Sequence, residues 1–316
     1  MPSARQGSIH LFRFSGIDVF LHWSWFLVAA YEIQSRKGSY SSITWNVLEY
    51  LALFLIVMIH EFGHALACRQ VGGRADQIVL WPLGGVAYVD PPPRPGATLW
   101  SIAAGPLVNV VLVPILLVAV IVGRSSGWPQ TMPDFYRLLL AIGLINKWLL
   151  VFNILPIYPL DGGQILRSLL WFVLGRARSL MAAAIIGLVG VAAIIGLIGI
   201  ATFMGHALRA QDVWLGGAIT LFMLMSCWGG LKHAQALMKF AKLPRREGFA
   251  CPNCKMAPPV GEFWKCGKCG QQFDTFQTRA VCPHCGTQFP ATKCMDCGTL
   301  HPMNDWMVAS LAPSSL

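Results

Sequence analysis

Up to about residue 242 the chain alternates long apolar runs with short polar breaks, and beyond that point its character changes. A bilayer core of ~30 Å takes ~20 helical residues. Six apolar stretches approach or reach that length: residues 17–33, 45–68, 98–122, 138–157, 180–204 and 213–231. Between the second and third lies a shorter run, Ile78-Val79-Leu80-Trp81-Pro82-Leu83-Gly84-Gly85-Val86-Ala87. It is too short to cross, too apolar for an ordinary loop, and broken by a proline and two glycines, which predicts a re-entrant or interfacial hairpin. Pro91-Pro92-Pro93-Arg94-Pro95 reads as a stiff linker. Gly187, Gly190, Gly196 and Gly199 in the fifth run allow close helix packing. The predicted fold is an all-α polytopic membrane protein of about six transmembrane helices with a short re-entrant β-like hairpin, followed by a small polar domain.

Composition agrees with that class. Apolar residues make up 55% of the 316 residues and charged ones 12%, with twelve tryptophans. The first sixteen residues carry Arg5 and Arg13 without an apolar core ending in a small-residue cleavage site, so they do not read as a removable signal peptide. Basic residues set the orientation. With the N-terminus in the cytoplasm and six spans, thirteen lysines and arginines of residues 1–246 fall on the cytoplasmic side and five on the other. Both termini are therefore predicted to be cytoplasmic. The net charge of +10 arises within residues 1–246, since five basic residues balance five acidic ones from Glu247 onward. The basic balance reports membrane topology and gives no support to nucleic acid as a partner.

After Arg246 the cysteines dominate, with eight of ten falling between 251 and 297 as four C-x-x-C pairs: Cys251/Cys254, Cys266/Cys269, Cys282/Cys285 and Cys294/Cys297. Two such knuckles close one tetrahedral four-thiolate zinc site. Sequential pairing is the simplest arrangement, giving ribbons at 251–269 and 282–297. Fragments this small need metal to fold. Disulfides are the competing reading, and a reducing cytoplasm argues against them. With every coordination position filled, these two zinc ions are structural. The predicted domains are a membrane core at 1–242, a cytoplasmic double zinc ribbon at 243–300 and a C-terminal tail at 301–316.

The second apolar run holds the candidate chemistry. His60-Glu61-Phe62-Gly63-His64 places two imidazoles on one helix face with a carboxylate beside them. Ionisable groups at that depth are costly unless they line a cavity and act there. The spacing is that of a zinc hydrolase, with two imidazole ligands and a glutamate to activate water. A third ligand is required. Asp161 stands in Asn153-Ile154-Leu155-Pro156-Ile157-Tyr158-Pro159-Leu160-Asp161-Gly162-Gly163, where prolines and a double glycine break a helix at membrane depth. In the six-span arrangement His60, His64 and Asp161 also lie at similar depths, judged by their distances from Arg69 and Arg167.

At this point the chain resembles the site-2 protease family, intramembrane zinc metalloproteases, of prokaryotic type. The resemblance rests on HEFGH at 60–64, Gly105-Pro106-Leu107-Val108-Asn109 in the third run, and residues 153–163. It implies a catalytic zinc on His60, His64 and Asp161, with Glu61 as general base. It also implies that Asn153 and Asn109 help hold the substrate or its oxyanion. The stretch Trp81, Pro82, Leu83, Gly84 and Gly85 is similar to the family's re-entrant substrate-binding segment. The expected activity is hydrolysis of peptide bonds in or near transmembrane segments of membrane-protein substrates, as in regulated intramembrane proteolysis, in a prokaryotic cytoplasmic membrane. Two departures stand out. Lys147 occupies a position expected to be apolar, and a double ribbon replaces the family's common accessory modules. The competing functional classes are a catalytically inactive or metal-transporting or metal-sensing membrane protein using the same ligands, and an adaptor acting through its ribbons. A neutral ribbon region points to a cytoplasmic protein partner rather than nucleic acid. Oligomeric state is not encoded in these patterns.

Overall fold

The computed structural model describes residues 7–81, 84–204 and 210–308. Pro82 and Leu83, at the tip of the predicted hairpin, lie outside the described residues. The chain falls into two compact units, Met1–Gln235 and Ala236–Leu316. The first opens with strands β1 (Ser8–Phe14) and β2 (Ile17–His22) and helices α1 (Trp25–Ser35) and α2 (Ile43–Gln70). Strands β3 (Arg74–Trp81) and β4 (Gly84–Asp90) follow, then helices α3 (Pro95–Ser125), α4 (Trp128–Thr131), α5 (Pro133–Ile154), α6 (Asp161–Phe203) and α7 (Ala210–Ala241).

The hairpin predicted at 78–87 is present as β3 and β4, and it belongs to a four-stranded sheet of order β1-β2-β3-β4. Here the structure corrects the sequence reading, in which residues 17–33 form the first transmembrane helix. Residues 17–22 are instead a strand, paired antiparallel to β1 and parallel to β3. The helix that follows has only 11 residues. Strand β2 has partners on both edges, so its backbone is satisfied inside protein, the one setting in which extended chain is tolerated at membrane depth. Ile17, Val19 and Leu21 of β2 pack with Ile78 and Leu80 of β3 against Val57, Ala65 and Cys68 of α2. Each of the isoleucines, leucines and valines in this set, fully buried, contributes about 1.5–3 kcal/mol.

Because β2 and β3 run side by side, the excursion through α1 and α2 starts and ends on the same sheet. The passage away from the sheet is strand followed by short helix, and α2 makes the return. Polar ties fasten the far end of this excursion. Tyr40 and Arg36 both donate to the Glu49 carboxylate, each at 2.5 Å. Asn46 donates to the Arg36 carbonyl at 2.8 Å, and the Ser41 amide donates to Asp134 of α5 at 3.2 Å.

Among the described residues, four helices are long and apolar enough to cross a membrane: α2, α3, α5 and α6 as far as Ile200. Their composition makes this an integral membrane protein. All but the last residue of the predicted run at 180–204 lies in α6, where Gly175 (φ 76°, ψ 170°) interrupts the helical geometry. The sixth predicted run falls inside α7, which is not one of these four.

In the second unit, short hairpins β5 (Trp264–Lys265) with β6 (Gln272–Phe273) and β7 (Thr292–Lys293) with β8 (Leu300–His301) carry the second and fourth knuckles, Cys266/Cys269 and Cys294/Cys297. All four knuckles share one turn, in which the first cysteine's carbonyl accepts from the amide four residues on: Lys255, Gly270, Gly286 and Gly298. Those four residues are left-handed, with φ between 60° and 78°, which favours glycine and makes Lys255 the exception. The expected sequential pairing is overturned. Cys251, Cys254, Cys294 and Cys297 form one cluster and Cys266, Cys269, Cys282 and Cys285 the other, one nested inside the other. The reason lies in how the ends of the unit meet. The Ala250 amide donates to the Trp306 carbonyl at 2.8 Å and the Val308 amide to the Gly248 carbonyl at 3.1 Å, which draws the first knuckle beside the last. Between the two clusters, Trp264, Phe273, Phe276 and Trp306 share one buried core. Ordered structure thus continues past residue 300, with Trp306 in a 3-10 turn (Met303–Trp306).

Candidate metal centre and active site

Three side chains from two helices converge. His60 and His64 sit one turn apart on α2, and Asp161 is the first residue of α6. Asp161 Oδ2 lies 3.1 Å from His60 Nε2 and 3.3 Å from His64 Nε2, and the two Nε2 atoms are 3.2 Å apart. Ligand atoms about 2.05 Å from a tetrahedral ion stand about 3.3 Å from one another. The triangle therefore has the dimensions of three corners of a zinc tetrahedron, and its donor set of two imidazoles and one carboxylate leaves the fourth corner for water or substrate. Both histidines are buried and Asp161 is largely so.

The other ring nitrogens are held from behind. His64 Nδ1 donates to the Ser101 carbonyl at 2.9 Å, where α3 crosses α2. Close crossing requires Gly105, since a β-carbon there would stand 2.2 Å from His64 Nε2. His60 Nδ1 lies 2.6 Å from Asn109 Oδ1. Asn109 is fully buried, and its amide nitrogen is engaged by Asn146 of α5 at 2.8 Å. The structure therefore sets Asn109 behind a ligand, with its oxygen and one N–H already paired. Asn153 is half-buried in the last turn of α5, eight residues before Asp161.

Glu61 follows His60 on α2 and is met by β4, whose Ala87 amide donates to Glu61 Oε2 at 2.9 Å. Gly85 passes so close that a β-carbon would lie 2.2 Å from Glu61 Cγ. Of the predicted substrate-contacting residues, Gly85 thus lies against Glu61, Gly84 pairs with Trp81 across the hairpin, and Trp81 stacks on His22 with ring centroids 4.0 Å apart. Pro82 and Leu83 fall outside the described residues. Sequence reasoning missed Ser101, Ala87 and Asn146. The first two act through backbone groups, which carry no sequence signature. Asn146 did carry one, an amide within an apolar run beside the charged Lys147. Lys147 is exposed on the outside of α5.

In the second unit, paired Sγ atoms stand 3.6–3.7 Å apart across each cluster. Four thiolates about 2.3 Å from a tetrahedral zinc are separated by about 3.8 Å, so both clusters have the dimensions and donors of structural zinc sites. The Thr287 hydroxyl, 3.1 Å from Cys285 Sγ, holds that thiol down at about 6.

Comparison with known proteins gives a consistent picture. The profile of Peptidase family M50 matches residues 49–132 and 129–197. A zinc metalloprotease of Methanocaldococcus jannaschii is 36% identical over 180 residues, covering 57% of this chain and 50% of that protein. Stage IV sporulation protein FB of Bacillus subtilis is 32% identical over 126 residues, covering 39% of this chain and 41% of that one. The chain spans about half the length of the curated relatives it matches. Among solved structures, the site-2 protease from Methanocaldococcus jannaschii aligns with 28% identity and a TM-score of 0.47, over 71% of this chain and 95% of that one. The matched region, residues 49–197, contains His60, Glu61, His64, Asn109, Asn153 and Asp161, and over it the chain is similar to peptidase family M50.

Proposed function

We propose that this protein is an intramembrane zinc metalloendopeptidase that hydrolyses peptide bonds in or near the transmembrane segments of membrane-protein substrates. The observation that carries the reading is the triangle of His60 Nε2, His64 Nε2 and Asp161 Oδ2, with sides of 3.1–3.3 Å, beside the Glu61 carboxylate. A zinc ion held there supplies Lewis acidity toward a carbonyl and lowers the pKa of water. Glu61 takes the proton from the attacking water and returns it to the leaving amine, within the pocket made by β4. Asn153 donates to the oxyanion. Among the described residues β4 pairs only with β3, so its other edge, where the Ala87 amide donates to Glu61, offers an unwound substrate segment a strand to pair with, and the segment Trp81 to Gly85 is assigned to substrate contact. One catalytic and two structural zinc ions per chain complete the cofactors. The two termini face the cytoplasm of a prokaryotic cell, and the domains follow the division at residue 242, with the ribbons docking a cytoplasmic protein partner. In that frame the protein serves regulated intramembrane proteolysis.

The test is cleavage of a reporter transmembrane segment by full-length protein in lipid vesicles. Wild type cleaves it, Glu61→Gln does not while keeping its zinc, and chelation of zinc stops cleavage. Zinc bound with no cleavage in wild type would favour metal transport or sensing, which has no need of a general base.

A further inference from the structure

Asn146 touches none of the three ligands, yet it is almost fully buried in α5 and both of its hydrogen bonds go to one residue. Its Oδ1 accepts from Asn109 Nδ2 at 2.8 Å, and its Nδ2 donates to the Asn109 backbone carbonyl at 3.1 Å. We infer that Asn146 is a positioning residue for the metal site, acting through Asn109 on the ring of His60. The inference rests on the metal-site reading above and adds a residue to it.

The reasoning begins at the imidazole. His60 Nε2 faces Asp161 Oδ2 and His64 Nε2, so it must present a lone pair to a metal, and the proton belongs on Nδ1. Nδ1 therefore donates to Asn109 Oδ1, 2.6 Å away. That geometry demands that the Asn109 amide turn its oxygen, and not its NH2, toward the ring. A primary amide is nearly the same shape either way round, so packing alone does not choose. Asn146 chooses. With its own NH2 committed to the Asn109 carbonyl, it presents only an oxygen to the Asn109 side chain, which fixes the Asn109 nitrogen toward α5 and the oxygen toward His60. Flipping Asn109 would set N–H against N–H at His60 and oxygen against oxygen at Asn146, two buried mismatches where each unpaired group is costly. His64 needs no such device, because its Nδ1 donates to the Ser101 backbone carbonyl, which cannot flip. Of the two histidines, the one backed by a rotatable side chain is the one provided with a second asparagine.

The experiment is chelator competition on the full-length protein, following the zinc equivalent that disappears in Asp161→Ala. Outer-sphere partners of a ligating histidine are worth roughly 10- to 100-fold in metal affinity. Asn146→Leu, which keeps the volume and removes both hydrogen bonds, should weaken that equivalent by roughly this factor, with Asn146→Ala in its place should the leucine variant not fold. Adding Asn109→Asp to Asn146→Leu should restore the affinity to within about threefold of wild type, because both carboxylate oxygens accept and no orienting partner is needed. A purely structural role for Asn146 gives no such rescue. Wild-type affinity in Asn146→Leu and Asn146→Ala, or a double variant as weak as Asn146→Leu, would overturn the inference while leaving the metal site standing. Absence of any Asp161-dependent zinc in wild type would overturn both.

Discussion

Gly85 lies where β4 passes over the candidate base, and a β-carbon built on it would stand 2.2 Å from Glu61 Cγ, 2.5 Å from Cδ and 2.6 Å from Oε1. Ordinary carbon–carbon contact is about 3.5 Å or more, so Gly85→Ala requires a displacement of at least about 1.3 Å. Glu61 is the group that yields, because β4 is fixed to β3 along its length from Gly84 to Asp90. Moving the carboxylate also breaks its bond from the Ala87 amide, which fixes its position in the fold. A 1 Å misplacement of a catalytic group is worth on the order of 100-fold in rate. The three atoms nearest to that β-carbon all belong to Glu61, and none belongs to His60, His64 or Asp161. Gly85→Ala should therefore cut cleavage of a reporter transmembrane segment by about two orders of magnitude while retaining the wild-type zinc content. Gly105→Ala makes the contrast, since its β-carbon would fall 2.2 Å from His64 Nε2, on the ligating atom itself, and should cost both zinc and cleavage. The two measurements are made on the same preparations, zinc by elemental analysis and cleavage by gel. Cleavage at the wild-type rate by Gly85→Ala would refute the reasoning, and loss of zinc in that variant would show that β4 supports the ligands rather than the base.

The nested ribbon makes a prediction about pairs of cysteines. Cys251→Ser with Cys297→Ser should lose one zinc, and Cys251→Ser with Cys266→Ser should lose two, whereas sequential pairing requires the reverse. Asp274 is buried, pairs with Arg246 at 2.5 Å and accepts from the Phe276 amide at 3.0 Å and the Gln277 amide at 3.2 Å. Asp274→Ala leaves that arginine without its partner and should destabilise the ribbon unit by about 3 kcal/mol. Hydrogen exchange across residues 246–280 would then speed up roughly 100-fold, and unchanged protection would contradict the assignment. Glu49→Gln removes the carboxylate that accepts from both Arg36 and Tyr40 at the far end of α2 and should lower thermal stability, while the zinc content stays at the wild-type value.

Legibility in the sequence followed the kind of signal each feature carries. His60 and His64 were visible because a four-residue spacing has one meaning on a helix, and Asp161 because its broken, proline-rich surroundings are conspicuous in an apolar run. Strand β2 was not visible, since Ile17-Asp18-Val19-Phe20-Leu21-His22 shows no periodicity that separates a buried strand from the start of a buried helix. Its conformation is decided by β3, more than fifty residues away. The ribbon pairing was hidden for a similar reason. Four equivalent knuckles have no preference by spacing, and the choice is made by the meeting of residues 248–250 with 306–308. The hairpin at 78–87 was legible as a hairpin, but its use of a backbone amide and a missing side chain to hold Glu61 was not.

The measurement that tests the central claim most directly is the zinc content of purified full-length protein, with Asp161→Ala and Glu61→Gln beside the wild type. The account predicts three zinc ions in wild type, two in Asp161→Ala and three in Glu61→Gln. Three zinc ions retained in Asp161→Ala, or no more than two in well-folded wild type, would contradict a metal centre built from His60, His64 and Asp161.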